Sequence, residues 1–195
     1  MRLAPPPHPE RVSDTREKII QLADDFIRRR GYNAFSYRDI SEALGVKPAA
    51  VHYHFPNKEA LGAAILEREI VASRDNEAHW KRLSPDEQLR NLVGIFAGYR
   101  RRGLTCLMGS FCQDYDTLPG LVQTNLRTLC RVIQQWVTTV LAQGRRIGVL
   151  RFDGEPADRA RLVMSTLMSS LLLSRVQGDD VFDNMTKQLL KDLIV

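Results

Sequence analysis

Long hydrophobic runs are missing from this chain of 195 residues. The most apolar stretch, Leu162 to Ser174, includes four serines and one threonine and lies between Arg161 and Arg175. It is too short and too polar to span a bilayer. Prolines, rather than an apolar signal-peptide segment, follow Met1. These absences predict a cytoplasmic protein without a membrane partner.

Cysteine is scarce, with Cys106, Cys112 and Cys130 as the three examples. Their number is odd, and they form no CxxC pair and have no histidine-rich neighbourhood. The pattern argues against a disulfide framework and a zinc site, and it fits a reducing compartment. We therefore expect no metal and no cofactor, and we place Cys112 and Cys130 in the core.

Signatures of catalysis are also lacking, since the chain has no P-loop, no GxGxxG and no recognisable nucleophile–base pair. An all-α enzyme remains an alternative in which the helical part acts on a substrate. Lysine and arginine exceed aspartate and glutamate by 28 − 23 = 5. This mild excess permits an anionic partner without establishing one.

No segment alternates apolar and polar residues long enough to indicate a β-strand, while apolar residues recur at helical spacing, so the fold class is all-α. Three segments are predicted along the chain: a disordered arm (1–12), a unit of short helices (13–58) and a larger helical unit (59–195). Helices are expected from Asp14 (with Glu17 as a capping box) to Gly31, from Ser36 to Gly45, from Lys47 to His54, from Asn57 onward, from Ser84 to Gly103, from Cys106 to Tyr115, from Thr117 to Gly144, from Pro156 to Gln177 and from Asp179 to Ile194.

The stretch from Tyr37 to Phe55 has the pattern of a helix-turn-helix. Such a motif needs a small residue where its two helices cross and a residue that tolerates positive φ at the turn. Ser41 and Gly45 meet these needs. Apolar residues that would lock the helices together are Ile40, Leu44, Val46 and Val51.

The outward face of the second of these helices is free of acidic residues, and no Asp or Glu occurs from Gly45 to Lys58. A surface placed against phosphates must avoid carboxylates, so this face favours DNA. Ordinary packing of two short helices is the alternative. The outward residues are Lys47, Ala49, Ala50, His52 and Tyr53.

Residues 14 to 65 resemble the amino-terminal domain of the TetR family of bacterial repressors. The resemblance rests on Gly31-Tyr32-Asn33-Ala34, Tyr37-Arg38-Asp39-Ile40, Gly45-Val46 and the block from Val51 to Leu61 (VHYHFPNKEAL). Weaker similarity continues at Cys106-Leu107, Leu118-Pro119, Trp136, Gly144 and Gly148-x-Leu150-Arg151. It implies an all-helical homodimeric repressor, released from double-stranded palindromic operator DNA by a small-molecule effector of unknown identity.

The resemblance also implies roles for individual residues. Base-edge or phosphate contact would come from Lys47, Ala49, Ala50 and Tyr53, and phosphate contact from Tyr37, His52, His54 and Lys58. Many members have Ser-Lys-Gly where this chain has Lys47-Pro48-Ala49, which moves the lysine about 100° around the helix. The base that this lysine would read is therefore not transferable.

A set of aromatic, methionine and other apolar residues on neighbouring helices suits an apolar ligand. Cys106 lies at a predicted helix start, where a thiolate is favoured. Some relatives sense electrophiles or oxidants there, so both a sensor and a buried filler stay open. The predicted ligand-binding residues are Phe96, Tyr99, Cys106, Met108, Phe111, Tyr115, Ile133, Trp136, Met164 and Met168.

The last two helices carry more apolar surface than one core would cover. A two-fold interface would bury the surplus. An effector-free architectural or occlusion protein is the alternative that keeps DNA binding. The predicted interface residues are Leu162, Leu167, Leu171, Leu172, Leu189 and Leu193.

Overall fold

A computed structural model describes residues 9–195, with side chains from Asp14 onward. The described part is all-α, as predicted, and its only β feature is an isolated bridge between Leu150 and Ile194. A 3-10 turn spans Tyr115–Thr117. The α-helices are α1 Pro9–Arg30, α2 Tyr37–Leu44, α3 Pro48–His54, α4 Lys58–Trp80, α5 Pro85–Arg101, α6 Leu107–Gln113, α7 Gly120–Arg146, α8 Pro156–Gln177 and α9 Asp180–Leu193.

The predicted start of the first helix at Asp14 is wrong, because α1 begins at Pro9. Proline is tolerated in the first turn of a helix, where its missing N–H needs no partner. The Asp14 carboxylate accepts a hydrogen bond from Lys18 Nζ at 2.6 Å. The arm predicted for residues 1–12 falls partly outside the described residues, and residues 9–12 belong to α1.

The predicted start of α7 at Thr117 is also wrong, by three residues, because Thr117 belongs to the 3-10 turn and α7 begins at Gly120. Leu118 has extended backbone dihedrals, as expected for a residue that precedes a proline. Predicted caps at Ser36, Asn57 and Ser84 are confirmed.

Helices α1, α2 and α3 enclose a small apolar core that continues into α4. Ile27 of α1, Ile40 of α2 and Val51 of α3 are fully buried, as are Leu61 and Ile65 of α4. Because α4 supplies residues to this core and continues into the remainder of the chain, this one helix connects the three-helix unit to the rest of the protein.

The remaining helices form a bundle in which α4 packs on α7, α7 on α8, and α8 on α9, with α5 against α7, α8 and α9. Leu66, Leu129 and Leu167 are fully buried inside it. Within residues 9–195, none of the helices combines the length and apolar character that crossing a membrane needs.

Direct contacts also join the three-helix unit to the bundle. Asn33, in the loop after α1, donates through its backbone N–H and its side chain to Asp114 after α6, at 3.2 and 3.1 Å. The carbonyl of Arg28 at the end of α1 accepts from the Thr105 hydroxyl at 2.6 Å. These contacts hold the segments on both sides of α6 against the end of α1 and the loop that follows it.

Candidate functional site

Helices α2 and α3 form the predicted helix-turn-helix. The Ser36 side chain and Asp39 complete a capping box at the start of α2. Gly45 ends α2 with a φ of 64°, in the left-handed region that favours glycine. Ser41 is buried, which lets α3 approach α2 closely. The short turn and the small residue together fix the direction of α3.

The outer face of α3 is open to solvent. Lys47, Ala49 and His52 are exposed, Ala50 is half-buried, and Tyr53 exposes 73% of its surface. Because this face is free of carboxylates, it presents a lysine ammonium, an imidazole and a phenol without competing negative charge. These groups suit phosphate and base-edge contacts in a groove of DNA.

Tyr37 does not lie where phosphate contact requires it. Its ring packs on His52, with centroids 4.7 Å apart. Its hydroxyl is buried and has no hydrogen-bond partner among the described residues. Burial, with a contribution from Tyr32, raises the pKa of Tyr37 to about 12. The phosphate role predicted for Tyr37 is therefore corrected to support for the His52 ring.

Lys58 is also directed inward. Its Nζ donates to the Phe35 carbonyl at 2.6 Å and lies 4.2 Å from the centre of the Phe35 ring and 4.9 Å from that of Tyr32. Burial lowers the pKa of Lys58, although Asp114 and Asp39 oppose the effect. We correct its predicted phosphate role, because the ammonium fastens α4 to the loop after α1.

His54 is half-buried at the end of α3, with its ring edge-on to Tyr53 at 5.2 Å between centroids. Burial lowers its pKa, and the nearby Arg16 lowers it further. A neutral imidazole still donates one N–H, but it gives no charge-assisted bond to phosphate. Lys47 contributes an exposed ammonium to the outer face of α3.

A cavity of about 220 Å³ lies among α4, α5, α7 and α8. Six residues predicted for ligand binding line it: Phe96, Tyr99, Cys106, Ile133, Trp136 and Met164. The α4 wall and part of α5 were not predicted from the sequence, and they contribute Glu69, Ala72, Ser73, Asn76, Trp80, Leu92 and Ile95.

Four predicted ligand residues lie elsewhere. Phe111 is fully buried and packs on Tyr32, with centroids 5.5 Å apart, so it belongs to the joint between α6 and the loop after α1. The Arg127 guanidinium lies over the Tyr115 ring, with its Cζ 5.6 Å from the ring centre. Met108 and Met168 line a separate surface cavity. These four assignments are corrected, because helical spacing alone does not tell which wall of a bundle a residue faces.

Glu69 is the charged residue of the cavity lining. Its Oε2 accepts from Arg28 Nη2 at 3.0 Å, and its Oε1 accepts from the Tyr99 hydroxyl at 3.4 Å. Arg28 also donates to Asp24 at 3.0 Å. Burial would lower the pKa of Arg28, but Asp24, Tyr99 and Glu69 outweigh it and raise the pKa. The arginine therefore stays charged inside the protein.

Of the two interpretations left open for Cys106, its burial supports the buried filler. Cys106 is the cap residue of α6, but burial raises the pKa of its thiol despite hydrogen bonds from the backbone of Gly109 and Met108. The expectation of a core position is wrong for Cys112, which is exposed, whereas Cys130 is partly buried and packs against the core. The described side chains include no group of three or more His, Cys, Asp or Glu suited to a metal ion.

The predicted dimer residues divide into two groups. Leu167, Leu171 and Leu193 are at most 2% exposed in the single chain. They are corrected to core residues, since they have no surface left to give a partner, and Leu189 is partly buried against that core. Leu162 and Leu172 are exposed, and Leu173 and Val176 extend the same surface of α8.

Two family models match this chain. Residues 19–65 match the model described as bacterial regulatory proteins, tetR family. Residues 85–188 match the model described as tetracyclin repressor-like, C-terminal domain. Both halves of the predicted architecture are therefore recognised independently.

Several named regulators are similar in sequence. The HTH-type transcriptional regulator TtgR of Pseudomonas putida is 32% identical over 176 residues, which cover 84% of this chain and 80% of that protein. The HTH-type transcriptional repressor DhaR of Mycobacterium sp. is 23% identical over 167 residues, with 83% of each chain covered. The HTH-type transcriptional repressor NemR of Escherichia coli is 24% identical over 181 residues, covering 84% and 85%.

Solved structures show the same fold. A TetR-family transcriptional regulator from Agrobacterium tumefaciens superposes with a TM-score of 0.88 at 30% identity, covering 94% of this chain and all of that one. A TetR transcriptional regulator from Legionella pneumophila gives 0.81 at 27% identity, with 98% of each chain covered. Reduced Escherichia coli NemR gives 0.76 at 17% identity, covering 93% and 98%, and shows the fold alone.

Proposed function

This chain belongs to the TetR family of bacterial regulatory proteins, and we propose that it is a homodimeric repressor released from palindromic operator DNA by a small apolar molecule. One observation carries the proposal. Helix α4 begins beside the DNA-binding unit, where Leu61 is in its core, and its second half lines the apolar cavity at Ala72 and Trp80. The same rigid element therefore touches both candidate sites.

In the proposed complex, α3 enters the major groove with Lys47 and Tyr53 toward the DNA. Ala49 offers only apolar contact, for example to a thymine methyl group. A single short helix with few polar contacts reads few bases, so two copies acting on two half-sites are needed for useful specificity. Half-sites on one face of B-DNA recur about every 34–36 Å.

The exposed surface of α8 is the proposed two-fold interface. Leu162, Leu172, Leu173 and Val176 are 57%, 41%, 38% and 85% exposed in the single chain. Leaving four large aliphatic side chains on one helix in water is unfavourable by about 25 cal/mol per Å² of apolar area. An isologous contact between two α8 helices would bury them and set the distance between the two α3 helices.

Ligand release follows from differential binding. A compound in the cavity weakens DNA binding only to the extent that it prefers the arrangement of α4 that misaligns the two α3 helices. DNA must weaken binding of the compound by the same factor, and a coupling of about 1–3 kcal/mol is ordinary. The lining is mainly apolar and aromatic, which favours neutral compounds with one or two aromatic rings.

The protein carries its own reporter for the test. Its two tryptophans, Trp80 and Trp136, both line the cavity, with ring centroids 5.6 Å apart. One- and two-ring aromatic compounds are titrated while tryptophan fluorescence is recorded. The same titration is repeated with the protein bound to labelled DNA from upstream of its own gene, with fluorescence anisotropy as the readout.

The proposal expects that compounds which change tryptophan fluorescence also release the DNA, and that adding DNA weakens their binding by the same factor. Random DNA of equal length is the control. If compounds occupy the cavity and the DNA affinity stays unchanged, the proposed effector role is wrong. The remaining hypothesis is then a DNA-binding occlusion protein without an effector. Sedimentation as a monomer at micromolar concentration would contradict the homodimer.

A further inference from the structure

Two cysteines from different helices meet at the protein surface. Cys112 on α6 and Cys130 on α7, two helices that pack on each other, line one surface cavity of about 280 Å³. Cys112 is exposed and Cys130 is partly exposed, whereas Cys106 is buried. A dissolved small molecule therefore reaches the pair directly.

The surroundings divide the pair into two roles. The neighbouring Cys130 thiol lowers the pKa of Cys112 to about 7, in spite of partial burial. The same interaction, followed by burial, raises the pKa of Cys130. The thiolate is the nucleophilic form of cysteine, so Cys112 is the attacking sulfur and Cys130 the protonated neighbour. Arg161 lies in the lining of the same cavity, where it pairs with Asp158.

We propose that Cys112 and Cys130 form an oxidant-responsive site that an organic hydroperoxide converts to an intrachain disulfide. The Cys112 thiolate attacks the terminal peroxide oxygen, breaking the O–O bond. The leaving alkoxide takes a proton to become the alcohol, and Cys112 becomes a sulfenic acid. Cys130 sulfur then attacks the Cys112 sulfur and hydroxide leaves, taking up the thiol proton as water. The two thiols lose two electrons, and the hydroperoxide is reduced to alcohol and water.

The surrounding side chains favour an apolar oxidant. Met108, Ile133, Met164 and Met168 line the cavity beside the two sulfurs. A hydroperoxide with a hydrophobic group would pack its apolar part against these side chains and present its oxygens to Cys112. The site should therefore react faster with cumene hydroperoxide than a free thiol of the same pKa.

The pair also lies where a covalent bond would affect the remainder of the protein. Helix α6 packs on α1, and Ile133 and Met164 line both this cavity and the larger one. A disulfide between α6 and α7 would restrict the movement of the wall that the two cavities share. The expected consequence, which rests on the proposed function, is a change of at least fivefold in operator affinity.

The chemical test uses the full chain in the Cys106→Ser background, so that one cysteine remains in the tryptic peptide 103–127 and Cys130 lies in 128–131. Reduced protein is treated with cumene hydroperoxide, alkylated with iodoacetamide and digested without reductant. We expect the two peptides joined with the loss of two hydrogens. In the wild type, fragmentation should show that Cys106 stays alkylated.

Single variants separate the two steps. Cys130→Ser should stop at a Cys112 sulfenic acid, which dimedone captures, and Cys112→Ser should give neither product. Three results would overturn the proposal: Cys106 oxidised as fast as Cys112, a disulfide that joins two chains on a non-reducing gel, or a Cys112 sulfenic acid that persists beside reduced Cys130.

DNA binding is measured separately by anisotropy, before and after oxidation. A shift in the wild type that Cys130→Ser lacks supports signalling by the disulfide, and an unchanged affinity contradicts signalling. Because disulfide formation is read by mass, a chain that forms the bond but binds no operator contradicts the proposed function and leaves the thiol site supported.

Discussion

Arg28 and Glu69 form an ion pair between α1 and α4, with 3.0 Å between Nη2 of the arginine and Oε2 of the glutamate. The arginine side chain is 5% exposed and also pairs with Asp24. Its guanidinium lies 4.5 Å above the Tyr99 ring centre. The Glu69 carboxylate is at the same time part of the cavity lining. A polar group of a ligand that engaged Glu69 would therefore compete with an arginine of the DNA-binding unit.

Glu69→Gln should weaken this connection while preserving the size of the side chain. Removing one member of a buried pair leaves the other charge poorly compensated, although Asp24 still neutralises part of it. We expect the free energy of unfolding to fall by about 1–3 kcal/mol, measured by urea denaturation. Glu77→Gln, at an exposed position on the same helix, is the matched control and should change it by less than about 0.5 kcal/mol. Equal decreases in the free energy of unfolding for the two substitutions would contradict a stabilising role for the Arg28–Glu69 pair.

Lys47 and Lys58 should respond differently to alanine substitution. Lys47 is exposed on α3, so Lys47→Ala should weaken binding to operator and random DNA alike and flatten the salt dependence by about one unit of slope per subunit. Lys58→Ala removes the contacts with Phe35, so it should lower the free energy of unfolding by about 1–3 kcal/mol.

Each lysine variant is the control for the other. Anisotropy titrations from low to moderate salt measure the slope, and urea denaturation measures the stability. If Lys58→Ala flattened the salt dependence and left the stability unchanged, its ammonium would be a phosphate contact after all.

Much of the helix-turn-helix could be predicted from sequence because its determinants are local. The capping box at Ser36, the left-handed Gly45 and the proline at the start of α3 act within a few residues. The directions of Tyr37 and Lys58 depend on contacts with residues that are distant in sequence or on another helix, at His52 and Phe35. A resemblance transfers a residue type, but it does not transfer the rotamer that those contacts select.

The cavity was predicted less completely, for a related reason. Phe96 and Trp136 are large apolar residues that stand out in a sequence, and both line it. Glu69 and Asn76 line it as well, yet polar residues on a surface helix usually indicate the solvated face. Helix α4 is covered on several sides by α1 and α7, so its hydrophobic periodicity does not single out one face.

Leu172→Glu should abolish the dimer without unfolding the chain. Leu172 is 41% exposed, so a carboxylate there remains hydrated in the monomer and becomes desolvated only in the proposed interface. We expect a folded monomer by analytical ultracentrifugation, with operator affinity reduced at least tenfold because one α3 helix binds alone.

Two controls make the dimer result specific. Ile147→Glu changes another exposed aliphatic residue, 50% exposed at the end of α7, and should leave the dimer intact. Leu171→Glu places a charge in the core and should unfold the protein, which circular dichroism would detect. A dimeric Leu172→Glu protein would place the interface elsewhere.

The three thiols should be alkylated in a fixed order as pH rises. The pKa of Cys112 is about 7, and those of Cys106 and Cys130 are raised above the ordinary thiol value. Since only the thiolate reacts, iodoacetamide should modify Cys112 with a rate that rises through a midpoint near pH 7. Arg161 lies in the lining of the same cavity and pairs with Asp158. In Cys130→Ser the midpoint should move, because serine replaces the thiol that lowers the Cys112 pKa.

Trp136→Ala should change the response to a ligand while sparing the protein's interaction with DNA. Trp136 lines the cavity from α7, and its indole N–H donates to Gln88 Oε1 at 3.3 Å. Removing the ring takes away aromatic contact area, so the Kd of a one- or two-ring compound should rise about tenfold, which corresponds to about 1.4 kcal/mol. Trp80, whose ring packs against that of Trp136, remains as the fluorescent reporter in the cavity lining. Operator affinity without a compound should stay within about twofold, because the cavity lining includes no residue of α3.

Thr139→Ala is the matched control, one turn along the same helix and outside this cavity. It should leave both affinities unchanged. The compound concentration needed for DNA release should rise in Trp136→Ala by the same factor as the Kd, since release depends on occupancy of the cavity. If Trp136→Ala weakened binding of the compound but left the concentration needed for DNA release unchanged, the compound would act at another site. The surface cavity at Cys112 would be the next site to test.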